Sequence, residues 1–338
     1  MLTLLLPVHP TLIIPLFLLA MELFISPGCD GIVSFDPDSI LVLTYVRLGE
    51  CPMPTNDTLT QDACFERLPM LRHANIEKHG AKDIVTYLRS ENYGLEYGLA
   101  DIENVELASL VGLLERQLFP AVDWFLWCDD TVFAKFTRKC YTTALSQLSA
   151  VFMPFRWRKW QMHRTRHSQL THCLRRKSDT EIENELYAAA KRCLTAMSYI
   201  LGDKKYFVGE RPTAADAYLF SRLWPLLLYE SKHGTANWTC PCEAPAYRGH
   251  SSTHPLISHV LQCSNLVAHF TRIQGTYFQQ AAATFRKEIA LSASKRQTAD
   301  SGLLTIHPLR DCLLVGIGLL AAFLLYARNH GMIRIAAS

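Results

Sequence analysis

Apolar and polar positions change rhythm about a third of the way along the chain. From Met21 to about residue 98, short apolar runs alternate with amphipathic ones. MELFIS predicts a strand over Glu22 to Ser26, Pro27-Gly28 a turn, and a helix follows around Asp38 to Arg47. A short strand is expected near Leu68 to Arg72, and Ile84, Val85 and Leu88 lie on one face of a helix over Lys82 to Leu88. This alternation predicts an α/β layer with at least one parallel crossover.

From about Asn104 onward the pattern is helical. Leu107, Leu110, Val111, Leu114 and Leu118 recur at three- and four-residue intervals, and Pro120 is expected to kink or interrupt the continuation through Val122, Phe125 and Leu126. Ser178 and Glu181 form a Ser-x-x-Glu capping box ahead of a stripe from Ile182 to Leu201, which Gly202 ends. Thr213 and Asp216 repeat the arrangement with aspartate in the glutamate place, Asp216 accepting from the Thr213 amide while the Thr213 hydroxyl serves the Asp216 amide. The segment Tyr218 to Tyr229 is apolar nearly all round, which predicts a central buried helix, and an amphipathic helix covers about Leu256 to Ile273.

The two ends are apolar. Cys312 to Ala327 is uncharged and bracketed by Arg310, Asp311 and Arg328. As a helix its sixteen residues reach roughly 24 Å against a hydrocarbon core of roughly 30 Å, a length that snorkelling of Arg310 and Arg328 and an interfacial Tyr326 would extend. Residues 309–328 therefore read as a transmembrane tail anchor preceded by a linker at 279–308, with the bulk of the chain in the cytosol. Residues 1–20 are an apolar extension of uncertain status. They fit either a signal peptide's hydrophobic region or a stretch upstream of a start at Met21; they lack a positive beginning, and Pro7, Pro10 and Pro15 interrupt them. In the signal reading, Asn56-Asp57-Thr58 and Asn237-Trp238-Thr239 are glycosylation acceptors.

Composition narrows this picture. With 49% apolar and 19% charged residues over 338, the chain buries a core and is not wholly disordered. Its formal charge of +3 gives no global reason to expect nucleic-acid binding. Eleven dispersed cysteines read as reduced core thiols rather than a disulfide framework. Charge is nevertheless concentrated locally: no acid lies between Asp130 and Asp179, where eleven basic residues stand. Its dense part, Arg156, Trp157, Arg158, Lys159, Trp160, Arg164 and Arg166, interleaves aromatics and is the candidate contact with membrane or an acidic partner. In the loop at 234–255, Cys240, Cys242, His250 and His254 have thiolate and imidazole chemistry suited to zinc, with tighter spacing than usual knuckles; incidental residues in an insertion are the simpler reading.

A small α/β unit joined to a helical unit, with a capped buried helix after FVGERPTAADA, resembles the glutathione-transferase fold. More specifically, MELFISPG (21–28), DPDSILVLTYVRL (36–48), LPMLR (68–72), IVTYLRSENYGLEYGLA (84–100), FTRKCYTTALSQLSAVFMPFR (136–156) and KKYFVGERPTAADAYLF (204–220) resemble the metaxins of the mitochondrial outer membrane. Their order and spacing carry the likeness. The resemblance implies an α+β/α architecture: a thioredoxin-like domain at 21–98, an all-helical domain at 103–275 and a C-terminal transmembrane helix. It implies a non-catalytic role in protein import and β-barrel sorting and assembly, with other metaxin-like and sorting-and-assembly subunits as partners. No catalytic residue, cofactor or metal is implied. The alternative is a membrane-tethered glutathione-dependent transferase using Cys29, a thiol placed where helix N-terminal amides favour a thiolate. Against it, the position where such enzymes place a Glu/Gln-Ser pair carries His79-Gly80-Ala81-Lys82. Pro69 matches the position of the fold's cis proline. The first twenty residues and the 234–255 loop depart from the metaxin pattern.

Overall fold

A computed structural model describes residues 21–28, 33–56, 67–142, 145, 147–166, 178–233 and 254–278. The reading of residues 1–20, Cys29, the linker, and the anchor with Arg310 and Arg328 lies outside these. Among the described residues no helix is long and apolar enough to cross a membrane.

The first layer is a four-stranded sheet. β1 (Met21–Phe24) pairs in parallel with β2 (Thr55–Asn56) and antiparallel with β3 (Met70–His73), which pairs antiparallel with β4 (Ile76–His79), giving the order β2-β1-β3-β4. The parallel pair needs a crossover, and α1 (Pro37–Leu48) supplies it. Its start is well specified: Asp36 is the N-cap, its carboxylate accepting from the Ser39 amide at 2.8 Å, and Pro37 occupies the first turn. Almost every residue of α1 is buried, because it lies between the sheet on one side and the helical layer on the other. β3 begins just after the Leu68–Pro69 peptide, which is cis. The hydrophobic pattern did not signal β2 or β4. β2 is two residues long, and β4 is an edge strand whose Ile76 is exposed, so neither carries a buried alternation. α2 (Ala81–Ser90) follows β4 and buries Ile84, Val85 and Leu88.

α3 (Asp101–Leu113) opens the helical layer. The expected interruption at Pro120 is absorbed one turn earlier: residues Leu114–Leu118 form a π turn in which the Phe119 amide reaches Leu114 O, and Pro120 falls in the first turn of α4 (Phe119–Trp127), where no amide is required. A second π turn, Phe133–Thr137, joins α5 (Asp130–Val132) to α6 (Arg138–Thr142), and α7 (Gln147–Arg166) follows. α8 (Asp179–Leu201) starts with the anticipated box: the Ser178 hydroxyl accepts from the Glu181 amide and Glu181 accepts from the Ser178 amide at 2.9 Å. It stops at Gly202, whose φ of +49° suits glycine.

α9 (Ala214–His233) is the core helix. The Thr213 amide donates to Asp216 at 2.7 Å as anticipated, but the hydroxyl of Thr213 also donates to Asp216, at 2.9 Å, instead of receiving its amide. Asp216 is fully buried and accepts further from the Phe207 amide and from His269 Nε2 at 2.8 Å. The box is thus a four-donor hub joining the turn before α9 to the last helix. That last helix is broken into α10 (Pro255–Gln262) and α11 (Ser264–Tyr277), where one run was expected. Asn265 accounts for the break. Its side chain donates to Ser198 O and Gly202 O, satisfying carbonyls at the end of α8 and holding the chain there.

Replacing Asp216 by Ala removes one acceptor from four buried donors and is expected to lower stability by about 3–5 kcal/mol, whereas Ser178→Ala, at an exposed cap, costs about 1 kcal/mol; urea titration of the detergent-solubilised chain measures both.

Candidate functional site

The two layers meet along α1 and α9, and the meeting surface is polar at its centre. Arg222, in the middle of α9, is 3% exposed; its guanidinium forms an ion pair with Asp38 of α1 and a longer one, 3.5 Å, with Asp123 of α4. The guanidinium also lies 3.6 Å from the centroid of the Phe119 ring, while its Nε has no hydrogen-bond partner among the described residues. A buried guanidinium is tolerable only when paired, so the three helices are held in one mutual register. Trp224, one half-turn on, donates its indole N–H to Ser34 O at 3.0 Å, and Arg47 at the end of α1 donates to Tyr277 O at 3.1 Å and covers the Phe278 ring.

Around this network lies the interdomain cleft, with one lobe of about 560 Å³ bounded by Ser26, Asp36, Tyr141, Trp157, Trp160 and Arg164, and an adjoining lobe of about 410 Å³ reaching Lys82, Asp123 and Arg222. Two of its acids are perturbed. Burial, reinforced by the neighbouring Asp38, pushes Asp36 up to about 6, and burial also raises Asp123 against the pull of Arg222. The Tyr141 phenol donates to Asp36 at 3.3 Å, and burial beside that acid raises its own pKa.

Among the described residues, the same cleft is poor in nucleophiles. Ser26, at the end of β1, is buried, and the Ser39 hydroxyl accepts from its amide at 3.1 Å. Among the described residues no cysteine lines either lobe. Burial raises Cys51 to about 11 and Cys193 to about 12, so both stay protonated at neutral pH. The start of α2 is Gly80-Ala81-Lys82, without a hydroxyl or carboxylate before Asp83.

The candidate contact residues on α7 divide by helical phase. Trp157 is buried, edge-on to Tyr141, and is core rather than contact surface. Arg158 is also turned inward: it donates to Trp127 O at 2.8 Å and Cys128 O at 3.1 Å, so it caps the end of α4, and it pairs with the exposed Asp130 at 2.5 Å. Arg156, Lys159, Trp160 and Arg164 are exposed, and nothing is described of the Arg166 side chain. Ser178 and Glu181, Thr213 and Asp216 stand where the capping pattern put them. His254, the last member of the loop's cysteine–histidine pattern, is turned to structure instead. Its Nδ1 accepts from the Leu256 amide as the cap of α10, its ring packs against Phe125 and Tyr187, and burial lowers its pKa to about 4. The other three members lie outside the described residues.

Sequence reasoning overlooked the Arg222–Asp38–Asp123 network. The signal was present: one arginine inside the otherwise apolar SRLWPLLLY, in a helix expected to be buried, requires a partnered acid elsewhere.

Family profiles match segments in both halves of the chain, and relatives align with most of it. A family profile described as outer mitochondrial membrane transport complex protein matches residues 39–158, and one described as glutathione S-transferase, C-terminal domain, matches residues 190–273. The chain is 32% identical to metaxin-1 of Mus musculus over 262 residues, covering 76% of this chain and 75% of the relative. It is 30% identical to metaxin-1 of Sus scrofa over 319 residues, 93% and 92% of the two chains, and 27% identical to metaxin-3 of Xenopus laevis, covering 73% and 74%. Among solved structures, glutathione transferase F7 from Populus trichocarpa aligns with 79% of this chain and 99% of its own at 13% identity and a TM-score of 0.46.

Arg222→Met is expected to cost about 3–5 kcal/mol by stranding two carboxylates, and adding Asp38→Asn and Asp123→Asn to recover part of it, as read by urea titration. For Asp36 the folded pKa of about 6 exceeds the ordinary 3.8, so the folded state holds more protons between those values and this group's contribution to stability rises as pH falls through 6. His254, depressed from 6.5 to about 4, works the opposite way over much of the same window. The stability difference between wild type and Asp36→Asn isolates the first effect and should move in favour of wild type by up to about 3 kcal/mol between pH 7 and pH 4.

Proposed function

The chain belongs to the metaxin family, and from that premise we propose that it is a non-catalytic component of protein import at the mitochondrial outer membrane, acting through protein–protein contacts in the sorting and assembly of β-barrel proteins. Its partners are other metaxin-like and sorting-and-assembly subunits. Residues 309–328 hold it in the outer membrane with its bulk toward the cytosol; their sixteen-residue uncharged core suits a thin bilayer.

The observation that carries the non-catalytic reading is the chemistry of the interdomain cleft. A thiol-transferring enzyme needs a group there to hold substrate and one to stabilise a thiolate. Here Ser26 is only 3% exposed at the cleft wall, the start of α2 offers no hydroxyl or carboxylate to a γ-glutamyl group, and Arg222 is committed to Asp38 and Asp123. The interface is instead built for rigidity, which suits a scaffold presenting surfaces to other subunits. The rival reading, transfer through Cys29, would need that thiol to work without the rest of a glutathione site.

The chain is expected not to be retained on immobilised glutathione and to show no thiol-conjugating activity above a Cys29→Ala control; retention abolished by that substitution would establish the rival. Removing residues 309–338 should release the protein to the cytosol and out of the carbonate-resistant membrane fraction. Unchanged mitochondrial co-fractionation of the truncated chain would show that the tail is not the targeting element.

A further inference from the structure

The larger lobe of the interdomain cleft has a floor and a mouth of different chemistry. Its floor is ring surface. Trp127, Tyr141 and Trp157 border it and are otherwise buried, the Tyr141 centroid lying 4.9 Å from that of Trp127 and 5.7 Å from that of Trp157. Its mouth is basic. Arg67, ahead of β3 in the sheet layer, and Arg164, on α7 in the helical layer, both border it and are exposed. Trp160 stands beside Arg164, whose guanidinium carbon is 5.6 Å from the indole centroid. Among the described residues neither arginine forms an ion pair with a carboxylate. The two acids of the lobe are engaged within the protein: Asp38 pairs with Arg222, and Asp36 accepts from the Ser39 and Tyr141 hydroxyls.

One polar group is left over. Gln161, next to Trp160, borders the lobe, and its side-chain Oε1 is buried without a hydrogen-bond partner among the described residues. Buried side-chain acceptors are nearly always satisfied, so this one marks a place for a donor that the chain does not supply. Rotation about the last, soft torsion of the side chain suffices to turn it toward the lobe. The volume, about 560 Å³, lies in the range of small-ligand sites.

We propose that this lobe binds an aromatic monocarboxylate that also carries a hydroxyl or N–H group. The ring lies on the aromatic floor, the carboxylate meets Arg67 and Arg164 at the mouth, and the donor bonds Gln161. Aromatic walls favour a flat ring through offset or edge-on contact, and the planar guanidinium fork matches a carboxylate. A single negative charge fits because Asp36 and Asp38 repel a second one placed deeper in the lobe. The ligand is not a thiol substrate: among the described residues no cysteine borders the lobe. Occupancy would bridge the two layers through Arg67 and Arg164. The inference stands on the lobe itself and does not rest on the import reading.

Isothermal titration calorimetry of the detergent-solubilised full chain with p-coumarate, against a blank of matched detergent, tests it. The expected result is saturable binding. The uncharged p-coumaramide should bind about tenfold more weakly or worse, p-methoxycinnamate, with its donor capped, severalfold more weakly, and acrylate, with no ring, without measurable heat. Arg67→Gln with Arg164→Gln, both at exposed positions, should weaken p-coumarate about tenfold or more and leave p-coumaramide unchanged. Gln161→Leu should erase the difference between p-coumarate and p-methoxycinnamate. Circular dichroism checks that the variants keep the fold, and the compound series on the wild-type chain decides the matter if one does not. Heats no larger than the detergent blank overturn the proposal, as do equal affinities for p-coumarate and p-coumaramide or unchanged binding in a folded double-arginine variant. Displacement of p-coumarate by millimolar glutathione also overturns it and assigns the lobe to the rival thiol-transfer reading.

Discussion

The structure depends on one buried positive charge. Arg222 sits in the helix that forms the centre of the core, out of contact with water, and its charge is tolerable only because Asp38 and Asp123 reach it from two other helices. Apolar packing alone would let α9 slide or rotate against α1 with modest loss, since hydrophobic contact has no direction. The guanidinium removes that freedom. Asp38 belongs to the sheet-containing layer and Asp123 to the helical one, so satisfying both carboxylates sets the position of one layer on the other. The indole bond from Trp224 to Ser34 and the Arg47 contact with Tyr277 and Phe278 extend the same constraint to both ends of α1.

That constraint shapes what the cleft can do. The space between the layers is of a size to hold a small molecule, but its central charges are spent on each other and its wall is completed by Trp157 and Tyr141. Asp36, raised toward neutrality by burial and by Asp38, serves as a helix cap and takes the Tyr141 hydroxyl. The groups that would be called catalytic candidates from their perturbed pKa are therefore structural partners of one another. On α7, Phe152 and Lys159 stay exposed outside this network.

Much of the fold was legible in the sequence for reasons that are local. Capping boxes are short-range patterns with one geometric meaning, which is why Ser178–Glu181 and Thr213–Asp216 fall at helix starts. Amphipathic spacing located α2 and α8 for the same reason. What escaped was non-local. β2 is held by pairing with β1 and β4 by pairing with β3, and neither has its own hydrophobic alternation. The split between α10 and α11 follows from an Asn265 side chain bonding to α8, sixty-odd residues away in sequence. Within the basic stretch, charge density was readable but helical phase was not resolved: Trp157 and Arg158 belong to the interior and to the α4 cap, while Lys159 is exposed and Arg156 and Trp160 are exposed at the rim of the cleft. The partners of Arg222 lie 99 and 184 residues away, which no periodicity reports.

Hydrogen–deuterium exchange on the full chain, with and without millimolar reduced glutathione, tests the central claim most directly. A rigid scaffold locked through Arg222 predicts that amides of α1 and α9 exchange together as the slowest group in the molecule, and that glutathione protects none of the amides at the start of α2. Independent opening of the sheet layer from the helical layer, or glutathione-dependent protection at Gly80 to Asp83, would contradict it.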